Sequence, residues 1–220
     1  MAERTSGDST AANNSLFDLA GDPLPNLPMT RNEIMEAAKI FGPKSVELLG
    51  TGATEAAFKA EPLDQFRIIH IATHAIASAT FPDRSALVLG EDPKKQEDGL
   101  LQSREIRRLH LNADLVTLSA CDTGAGRLRG EEGIASLERS FLFAGARSVL
   151  ATLWTASDPY TRSLVEHFYR HLAAGEDEGA ALREAKLDLI KEFRSEAVPY
   201  YWAGFYLVGD ASAPIPSLGR

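Results

Sequence analysis

Residues 114–126 read DLVTLSACDTGAG. The first seven, Asp114–Ala120, make a near-continuous apolar run that stops at a Gly-rich turn. Runs of this kind, apolar on both faces, are typical of buried strands in a parallel sheet. Four more flank it: Phe66–Ala72 (FRIIHIA), the shorter Ala86–Leu89, Arg147–Trp154 (RSVLATLW) and Ala203–Val208 (AGFYLV). Helical patterns lie between or beside them. Glu132–Phe143 sets Ile134, Leu137, Phe141 and Leu142 on one stripe. Pro159–Leu172 has Asp158 as N-cap and Pro159 at the first helical position. Gly179–Phe193 repeats an amphipathic pattern. Strands alternating with helices predict an α/β sheet with mostly parallel strands.

Upstream, Thr30 with Glu33 reads as a capping box opening a helix to about Ile40, with Ile34, Ala37, Ala38 and Phe41 on one face. Glu55–Lys59 is a short helix candidate. Residues 90–99 (GEDPKKQEDG) are too polar for a core and read as an exposed loop. The expected organisation is one domain, residues 21–210. A disordered polar arm, residues 1–20, precedes it, and a loose tail, residues 211–220, follows. There is no internal repeat of 20–50 residues.

The 220 residues suffice for one sizeable core. A hydrophobic share of 44% against 25% charged is the balance of a soluble globular domain. The net charge of −8 argues against nucleic acid or an anionic membrane as main partner, since both favour basic surfaces. One cysteine excludes an internal disulfide and suits a reducing compartment. There is no apolar stretch of about 18 residues for a membrane helix and no secretory h-region at the N-terminus. A cytoplasmic location is expected.

Cys121 ends the run DLVTLSA and opens the Gly-rich turn. In open α/β sheets ligands sit beyond the carboxyl ends of the strands. Outward-facing N–H groups in such a turn lower a thiol's pKa and hold a developing oxyanion. His74 ends the run FRIIHIA in the same way, 47 residues before Cys121. Two neighbouring parallel strands would bring the imidazole near the sulfur, as cysteine–histidine chemistry requires. Each residue also has a plain structural reading, a small buried hydrophobe or a satisfied core histidine. His70, inside the strand, fits the structural part better; His110, His167 and His171 read as surface residues. A phosphate-binding loop is the rival for residues 121–133. Yet Gly124, Gly126 and Gly130 do not fit GxGxxG, no GK[ST] follows, and Glu131 and Glu132 would repel phosphate. Asp158 serves as helix cap, as a specificity carboxylate, or as both; Asp122 faces the site or caps the turn; Trp154 lines a substrate pocket or belongs to the core.

In order, HIATHA (70–75), SACDTGAG (119–126), LERSFLFAGARSVLATLW (137–154), Asp158–Pro159, HFYRHL (167–172) and WAGFYLVGD (202–210) resemble the CHAT domain. This family lies in the caspase–separase clan of cysteine peptidases, and the resemblance covers roughly residues 21–210. It implies a caspase-like α/β/α sandwich and a His74–Cys121 dyad. It also implies an oxyanion hole built from the N–H groups of Cys121 and Ala75. The caspase spacing of a His about 50 residues before the Cys is met, with Ser119–Ala120–Cys121 standing where the caspase signature has Gln-Ala-Cys. The clan usually has Gly after the His. Ala75 keeps the N–H but adds a methyl, which narrows the cleft or conflicts with a Gly-only backbone.

The resemblance further implies a protein or peptide substrate pairing as an extra strand beside about Thr152–Ser157. Asp122, Trp154 and Asp158 are the substrate-binding candidates, with a basic P1 residue favoured if either carboxylate faces the S1 pocket. A gating partner or sensor module is implied, since such domains often follow tetratricopeptide repeats. No cofactor or metal is expected. The expectation is a bacterial-type cysteine endopeptidase, the alternative a catalytically inactive CHAT-fold scaffold that binds protein partners.

Overall fold

The computed structural model describes residues 27, 30–78, 81–119, 121–122, 131–154 and 158–216; for 121–122, 131–134 and 158 it describes the backbone only. The expected disordered arm, residues 1–20, lies outside this set. In chain order the elements are α1 (Thr30–Phe41), α2 (Glu55–Ala60), β1 (Ile68–Ile71), β2 (His74–Ile76), β3 (Ala86–Val88) and β4 (Leu100–Gln102). There follow α3 (Ser103–Ile106), β5 (Leu115–Leu118), β6 (Cys121–Asp122), α4 (Glu131–Ala144), β7 (Ser148–Thr152), α5 (Asp158–Ala173), α6 (Glu178–Phe193) and β8 (Phe205–Gly209).

The main sheet runs β1-β5-β7-β8, with β1, β5 and β7 parallel and β8 antiparallel at the edge. Alternation along β5 divides the core in two. Val116 and Leu118 join Ile69, Ile71 and Val149 beneath Phe58 of α2, Ile106 of α3, and Leu137 and Phe141 of α4. Leu115 turns the other way, with Leu150, against α1, α5 and α6 through Ala37, Leu164, Phe168 and Leu189. Burying each such large side chain stabilises the fold by about 1.5–3 kcal/mol. Helices on both faces of a mostly parallel sheet make the α/β/α sandwich of the caspase type that the sequence predicts.

Three sequence expectations need correction. Thr30 and Glu33 form no capping box. The Thr30 hydroxyl donates to the Leu27 carbonyl at 2.8 Å, while Glu33 is buried with its carboxylate 2.9 Å from His70 Nε2. The run FRIIHIA is not one strand ending at His74. β1 stops at Ile71, and His74 opens β2 after a break at Ala72 and Thr73, where the Thr73 hydroxyl donates to the Val88 carbonyl. β2 then joins a second sheet, β4-β3-β2-β6.

The tail is also tied down over residues 211–216. Ile215 is buried in the second core, Pro214 bridges to Asp177, and the Ala213 carbonyl accepts from Arg147 Nη2 at 3.0 Å. The residues after 216 lie outside the described set. Arg147 also reaches Glu178 at 2.8 Å, and the Ser148 hydroxyl meets the same carboxylate. This buried network closes the sheet at the end of β7 opposite the candidate site.

Candidate active site

The candidate site grows from the continuation of two neighbouring strands. Along β1 and β5, Ile68 pairs with Leu115, His70 with Thr117 and Ile71 with Leu118. Past the breaks, β2 and β6 pair in parallel, His74 with Cys121 and Ala75 with Asp122. The 47-residue offset is therefore the same on both sides of the break. Adjacent strands stand about 4.8 Å apart, so the ladder sets the backbones of His74 and Cys121 side by side. The His74 side chain is buried, at 8% exposure.

The β3–β4 hairpin fixes β2 from its other edge, with His74 opposite Val88 and Ala75 opposite Leu87. A lysine clamp holds that hairpin. Lys59 Nζ lies 2.7 Å from Glu55, 3.1 Å from Glu97 and 2.9 Å from Glu105, so α2, the 90–99 loop and α3 meet at one ammonium. Glu55 also accepts from the Gly99 N–H at 3.0 Å. Burial raises the Glu55 pKa, with the Lys59 contact opposing. Burial disfavours the Lys59 charge, yet the three carboxylates hold its pKa above the usual lysine range. Among the described residues these carboxylates are the one cluster close enough to share a metal ion, and Lys59 occupies its centre.

Ala75 adopts ordinary strand geometry. Among the described residues, positive φ at non-glycine positions occurs only at Lys95 and Arg194. The backbone at 75 therefore needs no glycine. Its methyl is buried at 3% exposure in the core that also holds Leu87 and Leu101.

β7 brings the third part. β5 pairs with β7 at an offset of 33 residues, Leu115 with Ser148 and Thr117 with Leu150. Trp154 stands two residues beyond the end of β7 rather than closing the strand. Its ring is half-buried and stacks on Tyr200 at 5.9 Å and 17°, and its Nε1 donates to the Tyr200 carbonyl at 2.8 Å. The indole also lies flat on Gly204, where an added Cβ would come within 3.0 Å of the ring. The sequence offered Trp154 as pocket wall or core; Tyr200 and Gly204, which hold its ring, were not anticipated. The signal available was the aromatic cluster Tyr200–Tyr201–Trp202 beside a glycine.

The side chains of Cys121, Asp122 and Asp158 and residues 123–130 and 155–157 lie outside the described set, and so do the Gly-rich turn and half of the expected substrate-pairing segment. Asp158 is the first residue of α5. His70 holds the structural part expected of it: buried, near Glu33, and edge-on to Tyr169 at 5.5 Å. His110 is exposed. His167 pairs with Glu192 at 3.0 Å, and His171 with Glu176 and Asp188, so both join α5 to its surroundings rather than standing free on the surface.

A sequence model of the CHAT domain matches residues 5–210, nearly the whole chain. The chain belongs to the CHAT family. The match begins well before the residue 21 expected from the sequence blocks. Tetratricopeptide repeat protein 28 of Mus musculus is 34% identical over 111 residues, and that of Homo sapiens 32% identical over 111 residues. Each alignment covers 50% of this chain and 4% of the relative, so this CHAT domain spans a small part of the curated proteins it matches. No helix of the described residues is long and apolar enough to cross a membrane.

Proposed function

We propose that this CHAT domain is a cysteine endopeptidase with Cys121 as nucleophile and His74 as general base. One observation carries the reading: the constant 47-residue register that sets His74 beside Cys121 across β2 and β6. In this mechanism the imidazole takes the thiol proton and the thiolate attacks the scissile carbonyl carbon. The oxyanion is held by the N–H groups of Cys121 and Ala75. Collapse breaks the C–N bond, the imidazolium gives its proton to the leaving amine, and a water molecule then hydrolyses the thioacyl bond. The substrate lies as an extended strand along residues 152–157. Trp154 lines its cleft, and Asp122 and Asp158 favour a basic P1 residue. A repeat-containing sensor is the partner class suggested by the names of the relatives, acting on the loops that flank the dyad.

A second reading, an inactive scaffold that binds protein partners, draws on one feature. β2 has a neighbouring strand on each edge, so the Ala75 N–H points at a strand rather than into open space. The experiment that separates the two is thiol labelling of the native chain with a peptidyl acyloxymethylketone. The peptidase reading expects Cys121 to react at least ten-fold faster than in the denatured chain, and His74→Ala to remove that advantage. Equal rates in the native, variant and denatured chains support the scaffold.

A further inference from the structure

β2 has three residues, and so short a strand takes its position from its neighbours. On one edge β6 has only two residues. The other edge is firmer. His74 pairs with Val88 and Ala75 with Leu87 of β3, and the Thr73 hydroxyl donates to the Val88 carbonyl. β3 rests in turn on β4, Leu87 opposite Leu101. Both ends of β4 are tied to carboxylates. The Gly99 N–H, one residue before β4, donates to Glu55 at 3.0 Å. The N–H of Gln102, its last residue, donates to Glu105 at 3.0 Å. The Gly99 carbonyl accepts from the Leu89 N–H at 2.8 Å, which joins the start of β4 to the end of β3. Lys59 gathers Glu55, Glu105 and, from the loop between the strands, Glu97, all within 3.1 Å. Glu55 is fully buried. Without the ammonium its carboxylate would stand in low dielectric with no counter-charge, and Glu97 and Glu105 would repel it. Residues 91–98 (EDPKKQED) hold no large apolar side chain to anchor the loop instead.

We propose that Lys59 is a positioning residue for the dyad. Its ammonium locks β4, β4 sets β3, and β3 sets the strand that presents His74 to Cys121. The inference rests on the reading of His74 as general base and deepens it. Lys59 touches no reacting atom; it acts through two strands. Lysine suits the part because a compact ammonium has three N–H donors, one for each carboxylate. The consequence has a definite sign. An aligned imidazole stabilises the thiolate, so the Cys121 thiol ionises well below the ordinary value of about 8.5. A misaligned imidazole lets that midpoint climb back.

The rate of iodoacetamide labelling against pH tests it in the full chain, whose single cysteine makes the signal unambiguous. The parent midpoint should lie about one pH unit or more below about 8.5. Lys59→Met should raise it by roughly half a pH unit or more, and Lys59→Arg, which keeps the charge, should recover most of the change. Glu97→Gln removes a charge of the opposite sign and should also raise it. Movement of the two midpoints in opposite directions would mark a field effect and overturn the proposal. Exposed Lys39→Met should leave the midpoint in place. Hydrogen exchange of residues 74–76 and 86–89 should quicken about ten-fold in Lys59→Met with β5 and β7 unaltered, which separates release of this sheet from unfolding. Should Lys59→Met not fold, Glu97→Gln carries the same two readouts. A low parent midpoint that Lys59→Met and Glu97→Gln leave unchanged would overturn the proposal and spare the dyad. An ordinary parent midpoint, unmoved by His74→Ala, would overturn the peptidase reading and the role of Lys59 with it.

Discussion

At the scale of single residues, the candidate site rests on the backbone pairing of His74 with Cys121. A lone thiol and a lone imidazole each have ordinary structural uses, and the sequence offered both readings for each. Their 47-residue spacing was legible; that it equals the ladder register became visible only with the strands in place. The concern over Ala75 arose from comparing residue types, and strand geometry at that position removes the backbone part of it. Trp154 makes the sharpest residue-scale case. Its indole rests on Gly204, whose φ is not in the left-handed region, so alanine is tolerated by the backbone there but not by the ring at 3.0 Å. Gly204→Ala should therefore displace the indole and weaken the hydrogen bond to the Tyr200 carbonyl, costing about 1 kcal/mol. In a Trp202→Phe background, fluorescence of Trp154 should shift to the red and near-UV dichroism should fall, with far-UV dichroism unchanged. An unchanged Trp154 spectrum would mean that the ring is not held by this contact.

At the scale of elements, the long apolar runs and the short β3 were readable, and the other short strands were not. β1, β5, β7 and β8 lie inside or within a residue of their predicted runs; β5 and β7 are buried on both faces, which makes their runs near-continuously apolar. β2, β4 and β6 have two or three residues each, too few for periodicity to register, and they exist because each pairs with a neighbour. The helix pair α5–α6 carries a pH-dependent tie of its own. His171 Nδ1 lies 2.9 Å from Glu176 and Nε2 3.0 Å from Asp188. Burial opposes the His171 charge, but bonds to Asp188 and Glu176 outweigh it and raise the pKa above the ordinary 6.5. Lys191 first, and His171 next, hold Asp188 down to about 2. A raised histidine pKa stabilises the fold fully below pH 6.5, and that stabilisation is lost as pH rises through the folded value. The lowered Asp188 pKa acts fully above 3.8 and is lost as pH falls towards 2. His171→Gln should thus lower stability most between about pH 4 and 6.5, by roughly 0.5–1 kcal/mol for a partly solvated cluster. The difference should shrink as pH rises above 6.5 and His171 loses its charge, read from thermal melts of both chains across pH. A constant difference at every pH would assign the effect to packing instead of charge.

For the whole molecule, the α/β/α order was legible because its alternating pattern admits few topologies. The extent of the domain was harder to read. The CHAT match closes at residue 210, and composition made the following residues look loose. Yet Ile215 sits at 5% exposure in the core shared by Leu164, Leu182 and Leu189, and no local periodicity marks a single isoleucine between prolines as a core residue. Its anchor is tertiary: Arg147, at the start of the β7 segment, holds both the Ala213 carbonyl and the Glu178 carboxylate. The packing of α6 on the sheet and the docking of residues 211–216 are therefore one cooperative unit. Ile215→Ala should cost about 3 kcal/mol through lost burial and the cavity left behind, lowering Tm by roughly 6–12 °C. The exposed neighbour Pro216→Ala should change Tm by no more than about 2 °C. Thermal unfolding of the two variants against the parent chain decides it. If Ile215→Ala melts with the parent, residues 211–216 contribute nothing to the core and the domain closes at residue 210 after all.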